Sequence, residues 1–370
     1  MANLFDYLQW RGDLTLAQSP FNEVDNLILC ELSYIELGGI VPAPTQPGCL
    51  LLKEAAARYF KGRDATEFHM GVLVPDTIPQ LFAQMANYPR FQNLRLCGYV
   101  NQIDESQQKQ FSALCILLDD GTRFVAYRGT DDTIVGWKEN FNMSFLSSVP
   151  AQLDALAYLT SIAAGCNEPL RIGGHSKGGN LAVYAAMHAP SEVQARILEV
   201  YNNDGPGFRE NIVQQAGYQA IRERVHTIIP QSSVVGLLLE HEEAYQVVKS
   251  SQTGLFQHDG FSWEVCGPCF LHLDDLSGSS RHLDQALKAW LNDMDQAQRR
   301  QFVDALSTLL DATQAKTLTD LSSSKLKTAA ALVNTWKHLD ENTREMLTNT
   351  FHGLLHESLQ LAQLKIRSGE

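Results

Sequence analysis

The sequence predicts an α/β fold in which a mainly parallel sheet is covered by helices on both faces. Two observations predict it. Short apolar runs at 170–172, 197–201 and 225–229 are separated by helical patterns at 152–164, 180–188 and about 209–222. Strands that alternate with helices need crossover connections, and these build parallel sheets buried on both faces. Upstream, the apolar runs 113–118 and 124–127 flank Asp119-Asp120-Gly121, which reads as a hairpin.

The chain has 370 residues, long for one compact domain, so a core with extensions is expected. Residues 1–95 read as an N-terminal helical segment packed on the core. There, Ser19-Pro20 opens a helix whose apolar face is Val24, Ile28, Leu32 and Ile35, ending before Gly38-Gly39. A proline-rich loop at 42–48 leads to a second helical region over about 50–95, broken by Pro75, Pro79 and Pro89. Residues 96–276 form the α/β core. After Ser277-Gly278-Ser279-Ser280 the chain has no proline, and its next glycine is Gly353. Helical faces recur at Leu283, Leu287 and Leu291, at Phe302, Leu306 and Leu309, at Leu326, Val333 and Trp336, and at Phe351, Leu355 and Leu359. Residues 277–370 are therefore expected to be a C-terminal helical extension.

Composition excludes several function classes. Hydrophobic residues make up 44% and charged residues 19%, enough for a full core. The net charge of −13 repels phosphate backbones, so nucleic acid is not an expected partner. No basic-then-apolar leader opens the sequence, and no stretch nears the ~18 apolar residues of a membrane span. Seven thinly spread cysteines fit a reducing compartment, so a cytoplasmic location is expected.

The strongest chemical signal is Gly174-His175-Ser176-Lys177-Gly178-Gly179, between the strand-like 170–172 and the helical 180–188. Glycines flanking a serine permit a tight strand-to-helix turn that lifts the hydroxyl to the carboxyl edge of the sheet. Ser176 is the candidate nucleophile, with Gly174 and Gly178 as the elbow glycines. The Lys177 N–H then lies at a helix N-terminus, where it can hold an oxyanion. Tyr127-Arg128-Gly129-Thr130 ends the hairpin strand upstream. Thr130 either offers an N–H and a hydroxyl to the same oxyanion or merely caps a turn.

These motifs, with Trp137 downstream of Thr130, resemble the class 3 lipase branch of the α/β-hydrolases. The chain is more similar still to a bacterial lipase-like family, the Mbeg family, through Phe5-Asp6-Tyr7, Asn22-Glu23-Val24-Asp25-Asn26, Asn203-Asp204-Gly205-Pro206-Gly207-Phe208, Gln257-His258-Asp259 and Ser262-Trp263. The likeness covers about 1–275. It implies an α/β-hydrolase-like core with Ser176 as nucleophile, His258 as base, and Thr130 with Lys177 as the oxyanion hole. Two positions depart from class 3 lipases. Lys177 stands where leucine is usual, and Gln231-Ser232-Ser233-Val234 supplies no carboxylate where the acid is usual.

In this fold the order is nucleophile, acid, histidine. Asp204 follows the 197–201 strand at its carboxyl end, so it is the candidate acid; the alternative is that it caps the Gly205-Pro206-Gly207 turn. His258 sits on a loop before Asp259-Gly260, as a catalytic histidine would. His241-Glu242-Glu243 lacks the second histidine of a zincin site, and Cys266-Gly267-Pro268-Cys269 lies too late in the core for a thioredoxin-type pair. The expected function is a serine hydrolase acting through an acyl-enzyme on a small ester, thioester or amide. It needs no metal and no organic cofactor. Lys177 is further expected to put a cation beside the elbow, which favours short or polar acyl groups. The alternative is a catalytically silent scaffold or binding protein on the same fold.

Overall fold

The computed structural model describes residues 1–277 and 296–348, apart from 73, 144, 145, 147, 324, 342 and 346. Its strands are β1 (Leu50–Leu51), β2 (Arg95–Asp104), β3 (Lys109–Leu117), β4 (Arg123–Tyr127), β5 (Leu170–His175), β6 (Ile197–Asn203), β7 (Val225–Pro230), β8 (Tyr245–Val248), β9 (Val265–Cys266), β10 (Cys269–Phe270) and β11 (His272–Leu273). Nine of them form one sheet in the order β1-β2-β3-β4-β5-β6-β7-β8-β11, while β9 and β10 pair as a separate hairpin. The run from β4 to β8 is parallel, and β1 to β4 and β11 pair antiparallel.

The hairpin expected around Asp119-Asp120-Gly121 is the β3–β4 pair, with Leu117 opposite Arg123 and Ala113 opposite Tyr127. Gly121 takes φ +82°, and Asp120 Oδ1 accepts the Thr122 N–H at 3.0 Å. Such a positive φ suits glycine, and aspartate holds turns by side-chain acceptance. β2 escapes the sequence pattern because a bulge between Cys97 and Val100, with Gly98 at φ +65°, breaks its alternation. The two-residue β1 and β11 and the four-residue β8 are too short to read from a single sequence.

Strand alternation divides the core in two. Phe124 and Ala126 of β4 join one cluster, Val125 and Tyr127 the other. The first cluster packs against the N-terminal helices α1 (Leu4–Arg11), α2 (Glu23–Leu32), α3 (Leu52–Tyr59), α4 (Ile78–Met85) and α5 (Pro89–Gln92). After α6 (Ile134–Asn142), the second cluster is covered by α7 (Pro150–Ala164), α8 (Lys177–His188), α9 (Ser191–Gln194), α10 (Glu210–Val213) and α11 (Ala216–Ile221). α2 begins at Asn22, not at Ser19-Pro20. Asn22 Oδ1 accepts from the N–H groups of Val24 and Asp25, and Asp25 returns a bond to the Asn22 N–H at 3.1 Å.

Asp25 also anchors the N-terminal segment. Arg90 Nε donates to Asp25 Oδ1 at 2.7 Å and Tyr7 Oη to the same oxygen at 2.8 Å, while Arg90 Nη2 pairs with Asp25 Oδ2. The guanidinium goes on to the carbonyls of Leu14 (3.0 Å), Ser19 (2.9 Å) and Pro20 (3.2 Å). One buried ion pair thus gathers α1, the following loop, α2 and α5.

At the other end, α12 (Gln296–Ala312), α13 (Leu318–Ser323) and α14 (Lys325–His338) form a helical group. Phe302 and Leu309 of α12 bury against Leu347, with Leu146 packed on the same cluster. The group meets the core at residues 132–138. Asp132 O accepts from Leu318 N at 2.9 Å, Ile134 N donates to Lys316 O at 2.9 Å, and Lys138 pairs with Asp311. The faces at Leu283, Leu287 and Leu291 and at Phe351, Leu355 and Leu359 lie outside the described residues. No described helix is long and apolar enough to cross a membrane.

Replacing Arg90 by methionine leaves the Asp25 carboxylate buried without its partner. Such a loss typically costs ~3–5 kcal/mol. Urea unfolding of Arg90→Met is expected to show a drop of that order, and a change under about 1 kcal/mol would contradict the anchoring role.

Candidate active site

Ser176 joins β5 to α8 with φ +57° and ψ −132°, a conformation a non-glycine residue adopts only when its surroundings enforce it. The enforcement is visible. Ser176 N donates to Asn203 O at 2.9 Å, Gly179 N to Ser176 O at 2.9 Å, and Asn203 Nδ2 to Gly174 O at 3.0 Å. Glycine is required where backbones touch. A β-carbon at Gly174 would strike the Gly178 backbone, and one at Gly178 would strike the Tyr127 carbonyl. Gly205, which the sequence marks only as a turn residue, is equally close to the Ser176 carbonyl.

Asp204 follows β6 at φ +49° and is fully buried. Its Oδ2 lies 2.6 Å from His258 Nδ1, across 54 residues of chain. A carboxylate can only accept, so Nδ1 carries the proton and His258 Nε2 is left as the acceptor. The other oxygen, Oδ1, accepts from Gly236 N at 3.1 Å and from Ser233 Oγ. Ser233 belongs to the segment that lacks the usual class 3 acid, and there it donates a proton to the carboxylate from β6. Asp204 is therefore bonded to the histidine and not confined to its own turn. Ser176 Oγ has no hydrogen-bond partner among the described residues, so the structure closes the Asp204–His258 contact and leaves the serine–histidine contact open.

Gly129 and Thr130 follow β4 and reach the elbow from the neighbouring strand. A β-carbon at Gly129 would lie 2.6 Å from the His175 carbonyl oxygen and 3.1 Å from Ser176 Cβ. Thr130 Oγ1 is buried and has no hydrogen-bond partner among the described residues. Lys177 is the first residue of α8, so its N–H has no acceptor within the helix. Its side chain corrects the sequence expectation. It does not stand beside the acyl site but is 1% exposed, with Nζ on Glu139 Oε2 (2.8 Å), Gln110 O (2.7 Å) and Gln110 Oε1 (2.8 Å). The argument for short or polar acyl groups rested on that cation and falls with it.

Sequence reasoning passed over His175. Its Nε2 lies 2.8 Å from the His258 carbonyl oxygen, and the two imidazoles are 4.7 Å apart at 31°. A carbonyl only accepts, so His175 is the Nε2–H tautomer, with Nδ1 facing Tyr34 Oη at 3.5 Å. Burial, with a smaller contribution from the neighbouring His258, pushes the His175 pKa down to about 3. Glu31, on α2, places Oε1 3.4 Å from His175 Nδ1 without hydrogen-bond alignment. Burial, with Asp259 nearby, holds its carboxyl well above the usual range. No local signal marks these residues, because they meet only where α2, β5 and the His258 loop converge. Among the described residues, no three His, Cys, Asp or Glu side chains converge as metal ligands would. Cys266 and Cys269 are free thiols opposite each other in the β9–β10 hairpin, away from any helix start.

A parallel run entered through an antiparallel hairpin, with a strained serine between β5 and α8 and a histidine–aspartate pair from later loops, defines an α/β-hydrolase-like protein. The chain matches the Mbeg1-like family over residues 85–308, more than half of its length, and belongs to that family. No curated protein matches it. Among solved structures it is similar to the Rhizomucor miehei lipase in its propeptide complex, at 14% identity and a TM-score of 0.33, over 42% of this chain and 57% of that one. It is also similar to M37 lipase, at 14% identity and a TM-score of 0.33, over 57% of this chain and 67% of that one.

The His175 environment has a measurable consequence. Its folded pKa of about 3 lies below the unfolded value near 6.5, so between these pH values the unfolded state binds more protons. The neutral buried imidazole is therefore harmless above about pH 6.5, and stability falls as the pH drops from there toward 3. Urea unfolding across that range should fall less steeply in His175→Gln than in the wild type. Equal slopes would show that the imidazole titrates normally in the folded protein.

Proposed function

We propose that this protein is a serine hydrolase that cleaves an ester, thioester or amide through an acyl-enzyme. The observation that carries the reading is the 2.6 Å Asp204–His258 bond at the sheet edge that also carries the strained Ser176. In this mechanism His258 Nε2 takes the Ser176 proton as Oγ attacks the acyl carbonyl. Asp204 holds the imidazole tautomer and stabilises the imidazolium. The oxyanion forms against the Lys177 N–H and against Thr130, whose buried hydroxyl has no competing partner. Histidine then protonates the leaving group, and water activated by the same imidazole releases the acyl group. Buried Ser233 and Gly236 donors hold Asp204 Oδ1, which fixes the carboxylate for this task. Free thiols at all seven cysteines support a cytoplasmic setting.

The second reading, a silent scaffold, draws on the missing Ser176–His258 hydrogen bond. That contact is often long in unliganded hydrolases and tightens with substrate, so the enzyme reading is preferred.

A fluorophosphonate should label the wild type at Ser176, and Ser176→Ala should lose labelling and esterase turnover while remaining folded. Labelling elsewhere, or none, would sink the enzyme reading. Asp204→Asn should lose roughly 10⁴ in kcat, the order reported for the equivalent change in a protease triad; near-normal turnover would remove Asp204 from the mechanism. Thr130→Val deletes one oxyanion donor, a change typically worth about 2.7–4 kcal/mol. Steady-state kinetics should show most of that loss in kcat, with KM little changed, and an unaltered kcat would leave Thr130 as a turn residue.

A further inference from the structure

We propose that the buried Lys177–Glu139 pair is a positioning device that locks the two sides of the oxyanion hole to each other. The inference rests on the hydrolase reading above and adds Glu139 and the Lys177 side chain, which that reading does not use.

Lys177 contributes its backbone N–H to the hole, so wherever its side chain is held, the start of α8 is held too. Its ammonium has three protons, and the structure gives each an acceptor: Gln110 O, Gln110 Oε1 and Glu139 Oε2. Glu139 is completely buried on α6, the helix that begins just after Thr130. Its Oε2 also accepts from Gln110 N at 3.1 Å, and its Oε1 from Ala151 N at 2.9 Å, at the start of α7. A single carboxylate thus ties α6 to β3, α7 and α8.

The contact reaches Thr130 directly. A β-carbon at Gly136, one turn before Glu139, would lie 3.0 Å from Thr130 Cγ2 and 3.1 Å from Gln110 Oε1. Thr130, α6 and the lysine's acceptor therefore pack against one another without slack. The nearby charges are also paired: Arg128 Nη2 binds Asp131 Oδ2 at 2.9 Å, just ahead of α6. An uncompensated charge in this layer would be costly, and an ion pair whose three ammonium protons and both carboxylate oxygens are engaged sets one geometry. A leucine at position 177 would bury equally well but would leave α6 free of α8. An oxyanion donor displaced by about 1 Å loses much of its effect, so fixing both sides matters for kcat more than for substrate binding.

The test is the double substitution Lys177→Met with Glu139→Gln, which removes both charges at similar volume and avoids stranding one of them. The glutamine amide can keep one of the two backbone bonds. Thermal unfolding confirms that the full-length variant is folded; if it is not, Glu139→Asp, which keeps the charge but shortens its reach, takes its place. Kinetics on a p-nitrophenyl ester should show kcat reduced by about 10²-fold with KM within about twofold, as for loss of one oxyanion donor. Adding Thr130→Val should cost no more than about tenfold beyond the larger single loss, because both changes act on the same hole. Wild-type kcat in the folded variant, or losses that simply multiply, would overturn the positioning role. Absence of fluorophosphonate labelling in the wild type would instead overturn the hydrolase reading beneath it.

Discussion

The turn at Ser176 is possible only because three stretches of backbone come into direct contact. Gly174 meets Gly178, Gly178 meets the Tyr127 carbonyl, and Gly205 meets the Ser176 carbonyl. Each contact excludes any side chain at that glycine, and together they hold the serine at a positive φ that its own chemistry disfavours. The consequence extends across the sheet. β4, β5 and β6 are parallel neighbours, so their carboxyl ends lie side by side. The residues that follow them, Gly129-Thr130, Ser176 and Asp204, are therefore delivered to one edge. This is the edge at which open α/β sheets place their ligands.

Around that edge the polar groups are built in layers of decreasing access. His258 is partly exposed at 27%, which suits the proton exchange proposed for it. Behind it Asp204 and His175 are buried, one bonded to the ring and the other to the backbone of the same residue. Glu31 is buried as well, on an N-terminal helix. α2 therefore does more than cover the sheet. It supplies Glu31 beside His175, and Asn26 Nδ2 donates to Asn203 Oδ1 at 2.8 Å, next to the strand end that holds the elbow. The Asp25–Arg90 pair that anchors α2 thus supports the site from a distance.

On the opposite side the network is ionic. Lys177 and Glu139 bring β3, α6, α7 and α8 together beneath Thr130. The C-terminal helices meet the same loop from outside, where Asp132 Oδ1 accepts from Val72 N at 2.9 Å and Oδ2 from Thr319 N at 3.1 Å. The segment after β4 is thereby held from within by a buried salt bridge and from without by backbone bonds. Val72 of the N-terminal segment and the C-terminal helices both meet this loop, close to where the oxyanion is proposed to form.

By itself the sequence determined what depends on local period and turn chemistry. Alternating strands and helices, the β3–β4 hairpin with Gly121, and the strand–glycine–serine–glycine–helix pattern at 170–188 all read directly, because each is encoded within a few residues. The order proposed for Ser176, Asp204 and His258 follows from the fold, which restricts which strand end can carry each group, and the structure brings Asp204 and His258 together. β2 was hidden by a bulge, α1 and α6 were overlooked, and the shortest strands exist only through their neighbours in the sheet. Side-chain destinations were decided by tertiary structure alone. Nothing near Lys177 in the chain says that its cation turns inward, since Gln110 and Glu139 lie 67 and 38 residues away. Nor does the sequence around His175 point to the carbonyl of His258, 83 residues on. Those partners are chosen by which helices stack on which strands, and a buried polar group must take whatever acceptors that stacking brings within reach.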